Sequence, residues 1–100
     1  MNIVWTALAL NRVEQIALYI AEDKPDAAVQ WVEKLFIAVE RLAEFAESGR
    51  IVPEVRLPRI REVIFGTYRI IYSVKDEVAI LTVRRSSQLL NLSELSDDQS

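Results

Sequence analysis

Three runs of strand-forming residues in the second half of the chain constrain its fold most. They are rich in Ile, Val and Tyr, and they occupy residues 61–65, 68–74 and 78–84. The connections between them are two and three residues long. Turns this short join antiparallel neighbours, because a parallel pair needs a crossover of about a dozen residues. We therefore predict an antiparallel meander over residues 61–84.

Apolar residues at helical spacing dominate the first half of the chain. A short strand is predicted over residues 2–8, and Asn11 followed by Glu14 has the form of an N-cap with a capping box. The first helix is therefore expected to begin at Asn11 and to end before Pro25. A second helix is expected from Pro25 to Glu47, and the short turn between the helices requires an antiparallel hairpin.

The predicted order of elements is β-α-α-β-β-β, which is an α+β fold. A length of 100 residues suits one domain over residues 1–100, with residues 96–100 expected to fray. The two helices are the only elements that can cover the sheet. An antiparallel sheet of four strands is therefore expected to pack on the helical hairpin and to leave its other face uncovered.

The chain contains neither histidine nor cysteine, and this restricts its chemistry. A zinc site of Cys and His and a nucleophile activated by His are both excluded. We expect no metal and no cofactor, and any proton transfer must use Arg, Lys, Tyr, Asp or Glu. No stretch approaches the roughly 18 apolar residues of a membrane span, so no membrane contact and a cytoplasmic location are expected.

The charge is distributed unevenly along the chain. The net charge is −3, yet residues 50–85 hold eight basic and four acidic residues and carry +4, which leaves −7 for the remainder. Seven of those eight cations are arginine, whose planar fork suits phosphate and carboxylate. The segment is interpreted either as a basic face for an anionic partner or as an ordinary mixed surface.

Several local motifs resemble those of the RelE/ParE superfamily of toxins, over about residues 3–90. The segments that carry the resemblance are the strand around Trp5, Ile20-Ala21 through Pro25 to Trp31, the loop Gly49-Arg50-Ile51-Val52-Pro53-Glu54, Arg61-Glu62, Tyr68-Arg69-Ile70-Ile71-Tyr72, and Ile80-Leu81-Thr82-Val83. The resemblance implies the toxin half of a type II toxin–antitoxin pair. It also implies a hetero-oligomer with a ParD-like or RelB-like antitoxin.

The superfamily offers two modes of action. RelE-like members cleave mRNA on the ribosome with a basic cluster and a Tyr or His near the C-terminus, for which Arg61, Arg69 and Arg85 are the candidates. No Tyr or His follows Arg85, so the general acid and base are not visible. The absence of a Tyr or His after Arg85 and the presence of the Gly49–Glu54 loop both favour the ParE branch. Members of that branch poison DNA gyrase and are not enzymes. An mRNA endonuclease and an inactive antitoxin-binding member remain the alternatives.

Five arginines are the candidate contacts to the target: Arg59, Arg61, Arg69, Arg84 and Arg85. Strand alternation places Tyr68, Ile70 and Tyr72 against the helices and Arg69 on the uncovered face. The alternative for Arg69 is a structural ion pair with Glu54 or Glu62. Burial of Arg69 among the helices, or a tyrosine beside the terminal arginine pair, would argue against a gyrase-directed toxin.

The candidate antitoxin-binding residues lie on the helices and in the C-terminal segment. They are Glu14, Glu33, Glu40, Leu89 and Leu90. The glutamates would suit a basic antitoxin. The tail with Leu89, Leu90, Leu92 and Leu95 is interpreted either as a short helix or as an edge segment. The first strand, or the segment 89–95, is expected to offer an edge to which an antitoxin strand can add.

Overall fold

In a computed structural model, which describes residues 1–95, the chain forms two helices and a five-stranded sheet. The elements in chain order are β1 (Ile3–Trp5), α1 (Ala7–Ala21), α2 (Pro25–Glu40), β2 (Arg50–Ile51), β3 (Ile60–Phe65), β4 (Tyr68–Val74) and β5 (Val78–Arg85), with 3₁₀ turns at Arg41–Ala43 and Leu92–Leu95. The predicted α+β fold is confirmed, and β2 is an addition to it. The predicted frayed tail, residues 96–100, lies outside the described residues.

The sheet is mixed, with the strand order β1-β5-β4-β3-β2. Strands β2 to β5 pair antiparallel as the short turns predict, whereas β1 lies parallel to β5 with Ile3 opposite Val78. The prediction of four strands that are all antiparallel is wrong in these two details. The periodicity of a strand does not specify its neighbour, and β1 pairs with a strand about 75 residues away in the chain.

The N-cap of the first helix lies five residues earlier than predicted, and the helix begins at Ala7. The Thr6 hydroxyl accepts a hydrogen bond from the Ala9 N–H at 3.1 Å, so Thr6 is the N-cap. The same hydroxyl lies 2.9 Å from the Ile80 carbonyl oxygen, to which it can donate, so the cap is fixed by β5. Asn11 and Glu14 lie inside the helix, and the predicted capping box is wrong. The regular part of α2 also ends earlier, at Glu40 rather than Glu47.

The main core lies between the helices and the sheet. Its centre is formed by Leu35 and Val39 of α2, Ile70 and Tyr72 of β4, and Ile80 of β5, all of which are almost fully buried. Tyr68, Ile70 and Tyr72 point toward the helices, as alternation along β4 predicts. The helical hairpin therefore covers the face of the sheet that the sequence pattern indicates.

The opposite face of the sheet, here called the second face, is also covered. A smaller core lies there, formed by Val52, Ile60, Ile71, Ala79 and Leu81 with Val55, Leu90 and Leu95 packed against it. The covering elements are the loop after β2 and the segment 86–95, here called the C-terminal cover. The prediction of an uncovered second face is wrong, because apolar residues in segments without regular structure, which show no strand or helix period, cover it.

Gly49 allows the loop before β2 to approach the sheet closely. A Cβ at this position would come within 2.5 Å of both the Glu62 carbonyl oxygen and the Tyr72 hydroxyl oxygen. The Tyr72 hydroxyl is anchored there, since it accepts from the Gly49 N–H at 3.0 Å and donates to the Ala46 carbonyl oxygen at 2.8 Å. Glycine at position 49 of the Gly-Arg-x-x-Pro-Glu loop is therefore a steric requirement.

We expect Gly49→Ala to lower the free energy of unfolding by about 1–3 kcal/mol, the usual cost of overpacking a closed site. Urea denaturation monitored by tryptophan fluorescence would measure it. Ser87→Ala, at an exposed position, is the control and should change stability by less than about 0.5 kcal/mol. A Gly49→Ala protein as stable as the parent would contradict the steric argument.

Candidate functional site

Four charged residues form a network at the second face, here called the arginine–glutamate network: Arg50, Glu54, Glu62 and Arg69. Arg69 donates from Nε to Glu62 Oε1 at 2.6 Å, and from Nη1 and Nη2 to the two oxygens of Glu54 at 2.7 and 2.8 Å. Its Nη1 also donates to the Gln88 carbonyl oxygen at 3.2 Å. Glu62 Oε2 accepts from Arg50 Nε at 2.5 Å. Two cations and two anions thus neutralise each other.

The strand register and the Gly-Arg-x-x-Pro-Glu loop bring these residues together. Arg50 stands opposite Glu62 in the β2–β3 pair, and Arg69 follows on β4, the next strand. Glu54 lies four residues after Arg50 and reaches Arg69 from the loop above the second face. The loop that carries the family resemblance therefore supplies partners for a buried arginine.

The ion pair between Arg69 and Glu54 favours the charged forms of both side chains. The hydrogen bond from Arg69 lowers the pKa of Glu54 from 4.5 to about 2, against the opposing effect of burial. The same bond raises the pKa of Arg69 above its ordinary value. Glu62 has a fully buried side chain between two guanidinium groups. A carboxylate in that position depends on both cations.

The burial of Arg69 contradicts its predicted role as an exposed contact. Arg69 is only 4% exposed, and its N–H groups donate to Glu54, Glu62 and Gln88. The predicted direction of the side chain, away from the helices, is correct, but that face is covered. The structural alternative, an ion pair with Glu54 or Glu62, is confirmed, and both carboxylates take part.

A second carboxylate ties the C-terminal cover to the rest of the fold. Glu94 is 4% exposed and accepts from the Thr82 hydroxyl at 2.9 Å, from Arg12 Nη2 at 3.2 Å and from Arg84 Nη1. Burial acts to raise the pKa of Glu94, but the hydrogen bonds from Thr82 and Arg84 outweigh it and lower the pKa. The cover is thus held to α1 and β5 by charge as well as by Leu90 and Leu95.

The other candidate arginines do not lie together on one surface. Arg84 is paired with Glu94, and Arg61 donates to the Gly49 carbonyl oxygen at 2.9 Å and lies 3.6 Å from a Glu47 oxygen. Arg59 and Arg85 are exposed, and neither forms an ion pair with an acid within residues 1–95. They flank opposite ends of β4, roughly 20 Å apart at the rise of a strand.

The three arginines proposed for an endonuclease do not converge on one point. Arg61 stands opposite Tyr72 and Arg85 opposite Tyr68, so both lie on the helix side of the sheet but four residues apart along β4. Arg69 points to the second face. Directly opposed residues of a strand pair share a face, so the sheet itself separates Arg69 from the other two.

Sequence reasoning missed a tyrosine beside the terminal arginine pair. Tyr19 of α1 is 62% exposed, and its ring centroid lies 6.0 Å from Arg85 Cζ, within the range of a cation–π contact. This feature was expected to argue against a gyrase-directed toxin, and it is present. The signal was in the helical pattern, because Tyr19 falls outside the apolar stripe Val13, Ile16, Ala17 and Ile20 and is therefore an exposed aromatic residue.

The candidate antitoxin-binding residues divide into two groups. Glu14, Glu33 and Glu40 are exposed on the helices, and Leu89 is exposed in the C-terminal cover. Leu90 is instead half-buried against the second core, and its N–H donates to Glu54 Oε2 at 3.3 Å. The segment 89–95 ends in a 3₁₀ turn, so its interpretation as a short helix is confirmed and the expected edge there is wrong. The edges of the sheet are β1 and β2.

None of the helices within residues 1–95 is long and apolar enough to cross a membrane. The same residues contain no group of three or more acidic side chains placed to hold a metal ion.

The fold, together with the loop Gly49–Glu54 that holds Arg69, defines a domain of the RelE/ParE superfamily. The family model described as "ParE toxin of type II toxin-antitoxin system, parDE" matches residues 3–90, and the chain belongs to that family of toxins.

Two curated relatives and one solved structure are similar to the chain. The putative toxin Y4kP of Sinorhizobium fredii is 40% identical over 89 residues, which cover 87% of this chain and 90% of that protein. The toxin RelE2 of Caulobacter vibrioides is 34% identical over 90 residues, covering 88% and 98%. The structure of a chromosomal ParDE TA system from P. aeruginosa has a TM-score of 0.73 at 24% identity, covering 85% and 95%. That likeness shows the fold.

We expect Arg69→Ala to lower the free energy of unfolding by about 3 kcal/mol or more, because it leaves the buried Glu62 with one cation fewer. Arg59→Ala makes the same change at an exposed position and should cost less than about 0.5 kcal/mol. Chemical denaturation of both proteins would measure the difference. Equal stabilities for the two variants would show that the arginine–glutamate network does not support the fold.

The pH dependence of stability follows from Glu54. Because folding lowers its pKa from 4.5 to about 2, its contribution is complete above pH 4.5 and is lost as the pH falls through about 2. We expect the free energy of unfolding to decrease between about pH 5 and pH 2. Glu54→Gln should be less stable at neutral pH and should show a flatter profile. Parallel profiles for the two proteins would contradict this assignment.

Proposed function

We propose that the chain is a growth-arresting toxin that acts on DNA gyrase and is neutralised by a cognate antitoxin. The match to the ParE family over residues 3–90 supports this assignment. The observation that carries it is the arginine–glutamate network, because it directs Arg69 to the interior and leaves Arg61, Arg69 and Arg85 apart. An endonuclease needs groups that act on the same phosphate. Arg61, Arg69 and Arg85 are too far apart, and on different faces of the sheet, to contact one phosphate together.

The residues we propose for target contact are Arg59 and Arg85, the two candidate arginines that are exposed and form no ion pair with an acid within residues 1–95. Guanidinium groups without an internal counter-ion can bind phosphate or carboxylate at low cost. Arg61, Arg69 and Arg84 are paired with groups of the chain itself. In this proposal they position the sheet and the C-terminal cover and do not touch the target.

The outer surface of the helical hairpin is the site we propose for the antitoxin. On α1, Glu14 lies between the exposed Leu10 and Leu18, and on α2 Glu33 lies between the exposed Val29 and Ile37, each four residues away. Residues at that spacing share one side of a helix. Exposed apolar residues that bracket a carboxylate suit an amphipathic antitoxin helix with Leu-type anchors and a Lys or Arg.

The edge strand β1 offers the antitoxin a further contact. It pairs only with β5 within the described residues, so its outer side can accept an added strand. With three residues, Ile3–Trp5, it can hold only a short segment. We propose the hairpin surface as the main antitoxin site and β1 as an additional one, in a cytoplasmic hetero-oligomer.

A second function, ribosome-dependent mRNA cleavage, is favoured by one observation. Tyr19 stands beside Arg85, and a tyrosine next to a terminal arginine is a pair that can serve proton transfer and phosphate binding. The similarity to a protein named RelE2 is compatible with this reading. The two functions predict different inhibited processes and can be separated directly.

We expect the protein expressed alone to arrest growth, and the purified protein to inhibit supercoiling by gyrase without cleaving mRNA in a translating extract. Arg85→Gln should reduce toxicity about tenfold or more, as expected for a lost charge-assisted contact, while Arg41→Gln, which removes the same charge at another exposed site, should not. Co-expression of the antitoxin should restore growth. Cleavage of mRNA that depends on Tyr19, with normal supercoiling, would replace the gyrase proposal by the endonuclease.

A further inference from the structure

A small basic pocket, here called the Tyr19 pocket, lies on the helix side of the sheet between α1 and the end of β5. Its volume is about 220 Å³, and its lining includes Arg12, Gln15, Tyr19, Tyr68, Arg84, Arg85 and Gln88. Three of these are arginines, and no acidic residue lines the pocket within residues 1–95. The pocket adjoins the arginine–glutamate network at the end of β5, because Arg84 stands opposite Arg69 and the Gln88 carbonyl oxygen accepts a hydrogen bond from Arg69.

The positive charge at this pocket is only partly compensated by the protein. Glu94, just outside the pocket lining, accepts from Arg12 with one oxygen and from Arg84 with the other. The Thr82 hydroxyl and the Asn91 N–H occupy the same carboxylate, so it has little capacity left for a further donor. One carboxylate against three guanidinium groups leaves a charge of +2 at this place.

Two arginines at the pocket indicate that it binds an anion from outside the chain. The Nε atom of Arg12 is buried and has no hydrogen-bond partner within the described residues. A buried donor on a cation is costly to leave unpaired. Arg85 is exposed and contacts the ring of Tyr19, which orients its guanidinium group without neutralising it. An anion in the pocket would lie beside both guanidinium groups and balance their charge.

We propose that the Tyr19 pocket binds a phosphoryl group, either of a free nucleotide or of a nucleic-acid strand. The donors come from α1, from the end of β5 and from the C-terminal cover, so they surround a volume rather than lie in one plane. A tetrahedral phosphoryl group offers three oxygens to such an arrangement, whereas a carboxylate offers two in a plane. The exposed ring of Tyr19 beside the phosphoryl site supplies a surface on which a base can stack.

This inference does not depend on whether the target is gyrase or mRNA. It assigns a binding site to residues from three separate segments, and only Arg85 and Arg84 among them stood out in the sequence. Arg12, Gln15 and Tyr19 are brought to the same place by the first helix. The pocket can therefore be tested on the purified chain in the absence of either target.

The test is a titration of the full-length chain followed by NMR of the arginine Nε–Hε and Tyr19 ring signals. The probes are inorganic phosphate, acetate at matched ionic strength, a nucleoside monophosphate and a short single-stranded oligonucleotide. We expect inorganic phosphate to shift the Arg12, Arg85 and Tyr19 signals and acetate not to do so. Acetate binding as tight as phosphate binding would overturn the phosphoryl assignment and indicate a carboxylate partner such as an acidic peptide.

Variants at the pocket keep the test specific. Arg85→Gln should weaken phosphate binding about tenfold, since it removes one charge-assisted contact, and Arg41→Gln should change it less than twofold. Tyr19→Leu should weaken binding of the nucleoside monophosphate about tenfold, because stacking is lost. It should weaken binding of inorganic phosphate less than threefold. Equal weakening by Arg85→Gln and Arg41→Gln would overturn the proposal, because it would show a nonspecific effect of charge.

The same titration distinguishes the two sources of the phosphoryl group. An oligonucleotide that binds more than tenfold tighter than the nucleoside monophosphate would identify a nucleic-acid strand as the ligand. Equal affinities would identify a free nucleotide. Both results support the pocket, and the absence of any shift with all phosphorylated probes would reject it.

Discussion

The ion pairs of Arg69 with Glu54 and Glu62 are the interaction on which the arrangement of the second face depends. A guanidinium group on the central strand β4 is out of contact with water only because two carboxylates and one carbonyl oxygen take up its donors. One carboxylate belongs to the neighbouring strand and the other to the loop above it. The network therefore fixes the loop, and the loop with the C-terminal cover closes a second core. Loss of the arginine would leave buried charge and an open face together.

This network also determines which arginines are free to act on another molecule. The segment 50–85 has a formal charge of +4, but much of its positive charge is used within the fold. Two of its exposed arginines, Arg59 and Arg85, lie at opposite ends of the sheet. A formal count of charge along the chain thus overstates the basic surface. The Tyr19 pocket, where one carboxylate faces three arginines, is the place where positive charge accumulates.

Much of the architecture could be predicted from the sequence. The bounds of β4 agree with the predicted strand, and alternation gives the correct face to Tyr68, Ile70 and Arg69. Short turns specify the meander, and Pro25 marks the start of α2. These features are local, because strand and helix periodicities and turn lengths are read from neighbouring residues.

The features that could not be predicted depend on contacts between distant residues. Thr6 rather than Asn11 caps α1 because its hydroxyl also meets carbonyl oxygens of β5. Tyr19 reaches Arg85 because α1 crosses the end of that strand. The second core is built from irregular segments, whose apolar residues have no period to reveal their burial. For Thr6 and Tyr19 the deciding partner is more than 60 residues away in the chain, beyond any local pattern.

A double-mutant cycle between Glu54 and Arg69 tests the central claim most directly. The unfolding free energies of the parent, Glu54→Ala, Arg69→Ala and the double variant would be measured under the same conditions at neutral pH. The account predicts a coupling energy of about 1.5 kcal/mol or more, as expected for a bidentate pair at a largely buried site. Additive effects, with a coupling near zero, would contradict the claim that this ion pair holds the second face together.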